Sequence, residues 1–481
     1  MRKLILLLII LPSLSSCKKF MDVNDTPNNP ISVPPTVMLP TTTIGIAFAN
    51  SNELGRATEA LIQHIAGTAN QTAVYDIYNL DNAFDNSWSF EIYNGSANNL
   101  VKLIQDYSAT SPAYSGIAKL ELAYILSIAT DLWGDVPYSQ AAQGLKFQSP
   151  RFDKVEDIYQ GNTADSITSL FNLVRDGMAD LDKTSVLKPG IKDDLVYSGV
   201  LANWKRMGNT LLLKFAIQLT NVNPALAKST IDAVITDNNY INSNALDFQV
   251  PFSSSPGSQN PLYTFNNLNR ATDQMLSTRF LNLMTSLHDT VRLAKYFTKP
   301  NGVFTGFDNG STATPAPSAN RSRYNVYLTG TAGEAPIRLL TWAQVNFILA
   351  ESALILGTQG DPNAYYQAGI KANMTKIGMT TAEINQYFTD NPTVVTLAGT
   401  TEDQRKQIIT QKYISWVGNG IESYNDYRRT GYPVLALALN AAGQNPLVLP
   451  KRFPYTPGEQ QRNPNTPNPI IRTDVKIWWG K

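Results

Sequence analysis

Apolar positions recur at helical spacing along most of the chain. Ile167, Leu170, Phe171, Val174, Met178 and Leu181 form one stripe, and Trp204, Met207, Leu211, Leu212, Phe215 and Leu219 form another. A third places Trp342, Val345, Leu349, Ala353 and Leu356 on one side of a helix over 341–356. Leu54–Ala66 and Glu91–Tyr107 also read as helical, with a loop over 75–87 between them. From Leu120 to Leu132 the chain is apolar almost all round, which predicts a buried helix started by Ser111 and Pro112. Further helix starts are predicted at Asp153 with Glu156, at Asp361-Pro362, at Thr380 with Glu383 and at Thr401 with Gln404. Alternating strand patterns are few. The body is therefore expected to be mainly α-helical, with short strands in the connections.

Two stretches interrupt this rhythm, 251–270 and 299–336. Both are rich in Gly, Pro, Ser and Asn, yet they hold Phe252, Tyr263, Phe265, Phe304, Phe307, Tyr324 and Tyr327. Long loops inside a folded body are functional or disordered, and aromatic side chains argue against disorder. They are expected to pack on the helices and form part of a recognition surface. The loop with Tyr75, Tyr78 and Phe84, next to Trp88, belongs to the same expectation.

The amino terminus has a different pattern. Arg2 and Lys3 precede an apolar run from Leu4 to Leu11, and Leu14-Ser15-Ser16 leads into Cys17, the only cysteine. This resembles a bacterial lipoprotein signal, in which residues 1–16 are removed and Cys17 carries diacylglyceryl and acyl chains. The run is shorter than the roughly 20 residues that cross a bilayer, so the body is expected to be anchored and not to span. Residues 17–40, with five prolines among them, read as the lipidated terminus and tether, and 41–481 as a single body.

Composition narrows the chemistry. Residues 1–16 hold two of the 39 basic residues and no acidic one, so the remainder balances 37 against 38. That leaves no electrostatic footprint for nucleic acid. With 22 Tyr and 7 Trp among many Asn and Pro, a neutral, hydroxylated ligand suits the chain better than an ionic one. His64 and His288 are its only histidines, so no Cys/His metal cluster can be assembled, and no metal or cofactor is expected. Ser185-Val186-Leu187-Lys188 matches SxxK without companion motifs, and Gly418-Asn419-Gly420 reads as a helix stop, not a phosphate cradle. Paired carboxylates for glycoside hydrolysis can always be found among 38 acidic residues, so a lipid-anchored glycosidase stays an alternative.

Several segments carry a family resemblance. They are Phe20–Pro30, the octapeptide Asp131-Leu132-Trp133-Gly134-Asp135-Val136-Pro137-Tyr138, Asn203–Leu211, Arg338–Ala353 and Gln411–Trp416. The series continues through Gly420–Pro433 to Arg452-Phe453-Pro454-Tyr455, with Glu459, Asn463, Asn465 and Trp478-Trp479 near the end. Together they resemble the SusD/RagB-like lipoproteins of Bacteroidota. The resemblance implies tetratricopeptide-type helix pairs supporting an irregular ligand-bearing half, although no 34-residue repeat is visible. It also implies an outer-membrane protein that binds without catalysis, covers a SusC-like TonB-dependent barrel and captures oligosaccharides or, alternatively, peptides. Lys18 and Lys19 stand where surface-exported members often carry acidic residues. Candidate ligand contacts are Tyr75, Tyr78, Trp88, Tyr263, Tyr324 and Tyr327. The octapeptide reads as a helix terminus folded back on the core. Glu422, Asp426, Arg428 and Arg429 read as an ion-paired corner, and Glu351 as a satisfied core carboxylate.

Overall fold

The computed structural model describes residues 33–481, so Cys17 and the segment before Val33 lie outside the described residues. The first helix, α1 (Pro35–Ser51), starts on Pro34-Pro35, where a missing N–H has no cost, and α2 (Glu53–Leu61) follows almost at once. Around them pack a π-helix (Ser87–Ala97), α3 (Asn98–Tyr107) and the long α4 (Pro112–Trp133). Every residue of α4 except Lys119 is buried, as its all-round apolar sequence requires. Ser111 does precede it, but its hydroxyl accepts from Leu187 N (3.2 Å) and does not cap the helix.

The next helices, α5 (Leu170–Asp180) and α6 (Leu201–Gln218), pack successively against α4 and each other, and α7 (Pro224–Asp237) continues the series on α6. In the C-terminal half α8 (Trp342–Leu356) pairs with α9 (Pro362–Lys376), and α10 (Thr401–Ser415) packs on both before α11 (Gly420–Thr430) turns back onto α2. This is a tetratricopeptide-like scaffold of helix pairs. Gly420 permits the last approach, since a Cβ there would lie 2.3 Å from Glu59 N. One large apolar cluster runs from Met38 to Trp479. Three two-stranded antiparallel ladders fasten the connections: Ile65–Gly67 with Gln274–Leu276, Val136–Pro137 with Phe152–Asp153, and Phe248–Val250 with Ile337–Leu340.

Some local expectations need correction. Residues 70–76 are helical, so Tyr75 is not in a loop. The helix expected from Glu91 is a π-helix up to Ala97 and α only afterwards. Asp153 and Glu156 form no capping box. Asp153 instead accepts from Ser139 N and Arg151, and Val155 N is met by Asp135 Oδ1 at 3.1 Å. The box near 401 is built by Thr400 and Asp403, one residue earlier than the pattern suggested, while Thr380 and Glu383 form theirs as expected.

The charged corner is wider than a single turn. Arg429 grips Glu351 through two bonds (2.6 and 2.7 Å), Arg405 adds a third (3.0 Å), and Asp426 joins Arg429 to Lys412. Glu422 pairs with Lys214 (2.8 Å) from α6, not with its neighbours, and Arg428 lies over Tyr424 and Trp479. Four helices are thus tied by fully enclosed charges. A buried carboxylate is tolerable only with such partners.

Burial alone would push the Glu351 carboxyl up, but the Arg429 and Arg405 guanidiniums overcome it and hold the group at about 2. Its stabilisation is present above the ordinary value of 4.5 and is lost as pH falls from there toward 2. Removing it takes two bonds from Arg429 and leaves Asp426 as its one remaining carboxylate, so Glu351→Ala is expected to cost about 3 kcal/mol in urea unfolding at neutral pH, and less in acid. Glu121, in the middle of α4, behaves oppositely. Burial lifts its carboxyl to about 8 against the opposing hydroxyls of Thr43 (2.5 Å) and Thr42 (3.0 Å). Folding therefore retains a proton that the unfolded chain loses above about 4.5, and stability falls as pH rises from there through 8. Glu121→Gln should flatten that part of the stability–pH profile; an unchanged slope would show that Glu121 is ionised in the fold.

Candidate functional site

The site starts where α4 ends. Gly134 has φ +86°, and a Cβ on it would meet the Arg452 guanidinium at 2.8 Å, so the chain turns sharply under the C-terminal segment. Trp133 is fully buried, with Nε1 donating to Pro454 O (2.8 Å), as expected for a helix terminus folded on the core. Arg452 in turn donates to the Trp133 carbonyl. Around Trp133 stand Phe84, Trp88 and Phe453 at ring separations of 6.2, 5.1 and 5.5 Å, edge to face.

The π-helix sets the next feature. Five residues along an α-helix turn a side chain by about 140°, whereas the wider π turn brings i and i+5 onto one face. Trp88 and Tyr93 consequently touch, with ring centroids 5.1 Å apart. The Tyr93 hydroxyl donates to Pro137 O (2.9 Å), which fixes the octapeptide's strand against the π-helix.

These pieces enclose a cavity of about 320 Å³. Its floor is Trp88, Tyr93 and Pro137, one wall is the segment 141–150, another is Asn94 and Asn98, and the third is Glu459, Arg462 and Asn463. Trp88 Nε1 donates to Glu459 Oε2 (3.1 Å). Asn463 Nδ2 donates to Glu459 Oε1 and to Pro150 O (both 2.8 Å), stitching the C-terminal wall to the rim. Phe147 stands half-buried on the rim. Among the described residues, the side chains of Asn94, Asn98, Gln148 and Arg462 are exposed and make no hydrogen bond to protein. The cavity therefore offers aromatic surface beside unengaged amides and one guanidinium, a combination that binds hydroxylated rings by stacking and hydrogen bonds.

Of the six aromatics singled out in the sequence, Trp88 alone lines this cavity, and it is only 2% exposed. Tyr75 is buried and donates to Glu53 (2.5 Å). Tyr78 is buried and its hydroxyl accepts from Ala438 N (2.8 Å). Tyr324 is buried and donates to Glu59 Oε2 (2.6 Å), whose other oxygen lies 2.9 Å from His64 Nδ1. Burial pushes all three phenols up. Their rings are enclosed and their hydroxyls engaged, so the ligand face expected of them is not presented. Tyr263 and Tyr327 are half-buried on neighbouring loop turns joined by Asn260, whose side chain donates to Leu328 O and Ala335 O and accepts from Tyr263 N. Arg338 covers the Tyr327 ring at 3.7 Å. Both loops do pack on the scaffold, but away from the cavity. Phe147, Asn94, Asn98, Gln148 and Arg462 were missed; the only hint was a glutamine-rich stretch following the octapeptide.

Comparison with known proteins decides the family. The SusD-like family described as "Starch-binding associating with outer membrane" matches residues 27–456. The chain belongs to this family. A solved chitin-binding protein is 23% identical, with TM-score 0.79 over 93% of this chain and 100% of its own. A SusD homologue from Bacteroides uniformis is 22% identical (TM-score 0.76; 92% and 99% covered). A chitin-binding SusD homologue from Flavobacterium johnsoniae is 21% identical (TM-score 0.75; 92% and 97% covered). These likenesses establish the SusD-like fold. A search of curated proteins found no match. The family is outer-membrane associated, and among the described residues no helix is long and apolar enough to cross a membrane.

The different settings of the aromatics can be separated by melting curves. Tyr75→Ala and Tyr324→Ala should each lower Tm by several degrees, as expected for roughly 3 kcal/mol or more of lost core packing and stranded carboxylates. Phe147→Ala should leave Tm within about a degree. Equal Tm values for all three variants would contradict the burial described.

Proposed function

We propose that this SusD-like protein captures an oligosaccharide in the cavity between the π-helix, residues 141–150 and the short helix Pro457–Arg462, without cleaving it. The observation that carries this reading is the set of unengaged side chains, Asn94, Asn98, Gln148 and Arg462, arranged around the aromatic edges of Phe147, Tyr93 and Trp88. A sugar ring stacked on the face of Phe147 away from Lys146 would present its hydroxyls to these groups, which have no protein partner to give up. Tyr263 stays a secondary candidate, because its ring is half-buried on a loop surface outside the cavity. The chitin-binding character of two structural relatives favours a β-linked, N-acetylated glycan over a peptide.

In the cell, the protein is anchored by lipid on Cys17, faces the surface, and hands its ligand to a SusC-like TonB-dependent barrel. Family membership and the lipoprotein-type leader support this part of the proposal.

Retention in affinity gels containing chitin, starch or other glycans, with a peptide panel in parallel, tests the ligand. Phe147→Ala combined with Asn98→Ala is expected to weaken binding roughly 5- to 30-fold, the equivalent of about 1–2 kcal/mol, with an unchanged melting curve. Full retention by the double variant would sink the cavity as the ligand site. Release of shortened product would replace the receptor with the glycosidase reading.

A further inference from the structure

The segment between α5 and α6 is irregular yet tightly held. Val186 N donates to Thr110 O (2.9 Å), Leu187 N to Ser111 Oγ (3.2 Å), and Ser185 Oγ bridges Ala113 N and Leu187 O. Tyr114 donates to Asp193 (2.5 Å), and Asp194 collects Val196 N, Tyr197 N, Gly199 N and Trp204 Nε1. The serine and lysine of the SxxK match are thereby explained as parts of a staple and a loop tip. A segment fixed this firmly could have buried its apolar side chains, yet Val186 is 80%, Leu187 45% and Ile191 79% exposed.

The unpaired charges on the loop itself are positive. Lys188 and Lys192 are exposed, with no carboxylate within 4.0 Å among the described residues, whereas Lys183 is paired with Asp180. Of the nearby acids, Asp182 is paired with Lys205, the buried Asp193 and Asp194 bond the loop itself, and Asp176 is exposed on α5. Exposed apolar side chains interleaved with unpaired lysines on one loop match a bilayer interface, where side chains enter between headgroups and ammonium groups meet phosphates. They do not match a flat protein interface, whose core is depleted in lysine.

Position supplies the second observation. Tyr107, three residues before Thr110, donates its hydroxyl to Val33 O (3.1 Å), and Val37, one turn further on, is 53% exposed. The first described residue is therefore held by the end of the same helix, α3, that leads into the Thr110 contact with this loop. Residues 17–32, at most ~55 Å of chain, lead from there to Cys17.

We propose that the loop 183–192 is a membrane-docking surface: Val186, Leu187 and Ile191 enter the interface of an anionic lipid leaflet, and Lys188 and Lys192 contact its phosphates. The loop sets the body's orientation, while the lipid sets its attachment. This rests on the reading that Cys17 is lipidated, so the test separates the two. The full mature chain carrying Cys17→Ser, which has no lipid, is sedimented with vesicles of phosphatidylcholine and phosphatidylglycerol. Weak, salt-sensitive binding is expected. Val186→Asp with Ile191→Asp should lower it ~10-fold, and Lys188→Glu with Lys192→Glu should abolish its salt dependence, all with unchanged melting curves. No binding by the Cys17→Ser chain, or equal binding by the aspartate variant, overturns the proposal. So does shielding of a probe at position 191 by a co-purified barrel without any vesicle binding, which would make the loop a protein interface. The mass of the wild-type amino terminus reports on the lipid independently of these results.

Discussion

The aromatic cluster around Trp133 is the constraint on which the site depends. Phe84 and Trp88, Trp133, and Phe453 come from three separate stretches of chain, and Phe152 and Tyr455 extend the group outward. Each ring buries a large apolar area and sets the angle of its neighbour by edge-to-face contact. The cavity walls are the continuations of these same stretches. Displacing any one ring would move a wall.

The buried charges play a complementary part next to this cluster, reaching it through Asp131 and Tyr424. Non-directional packing allows helices to slide, whereas the two-point grip of Arg429 on Glu351 has one satisfactory geometry. Lys214 and Glu422 do the same between α6 and α11. The scaffold is thus located by polar contacts and filled by apolar ones. The irregular half can then be presented on a base that does not shift.

Much of the scaffold was legible because helices declare themselves through spacing. The stripes expected on α5 and α6 are the faces the structure packs inward, and Gly134 ends its helix as its place in the octapeptide implied. Helix α8 lies where its stripe places it but is buried all round from Ala343 to Ser352, with Trp342, Ala353 and Leu356 only partly covered. The cavity was less legible for two reasons. An aromatic residue has the same letter whether it plugs the core, as Tyr75 and Tyr324 do, or stands on a rim, as Phe147 does. The decision lies with partners such as Glu53 and Glu59, distant or unremarkable in sequence. The π register of 87–97 is also invisible to a 3.6-residue template, though it is what joins Trp88 to Tyr93. Glu121 was overlooked inside an apolar run because its partners, Thr42 and Thr43, lie nearly eighty positions earlier.

The hydrogen bond from Trp88 to Glu459 spans 371 positions. A chain emerging from its export channel amino terminus first would carry the floor of the cavity long before its last wall. Closure of the cavity would then wait on the segment that carries Glu459, so a chain clipped before it would keep the helical scaffold and lack this wall.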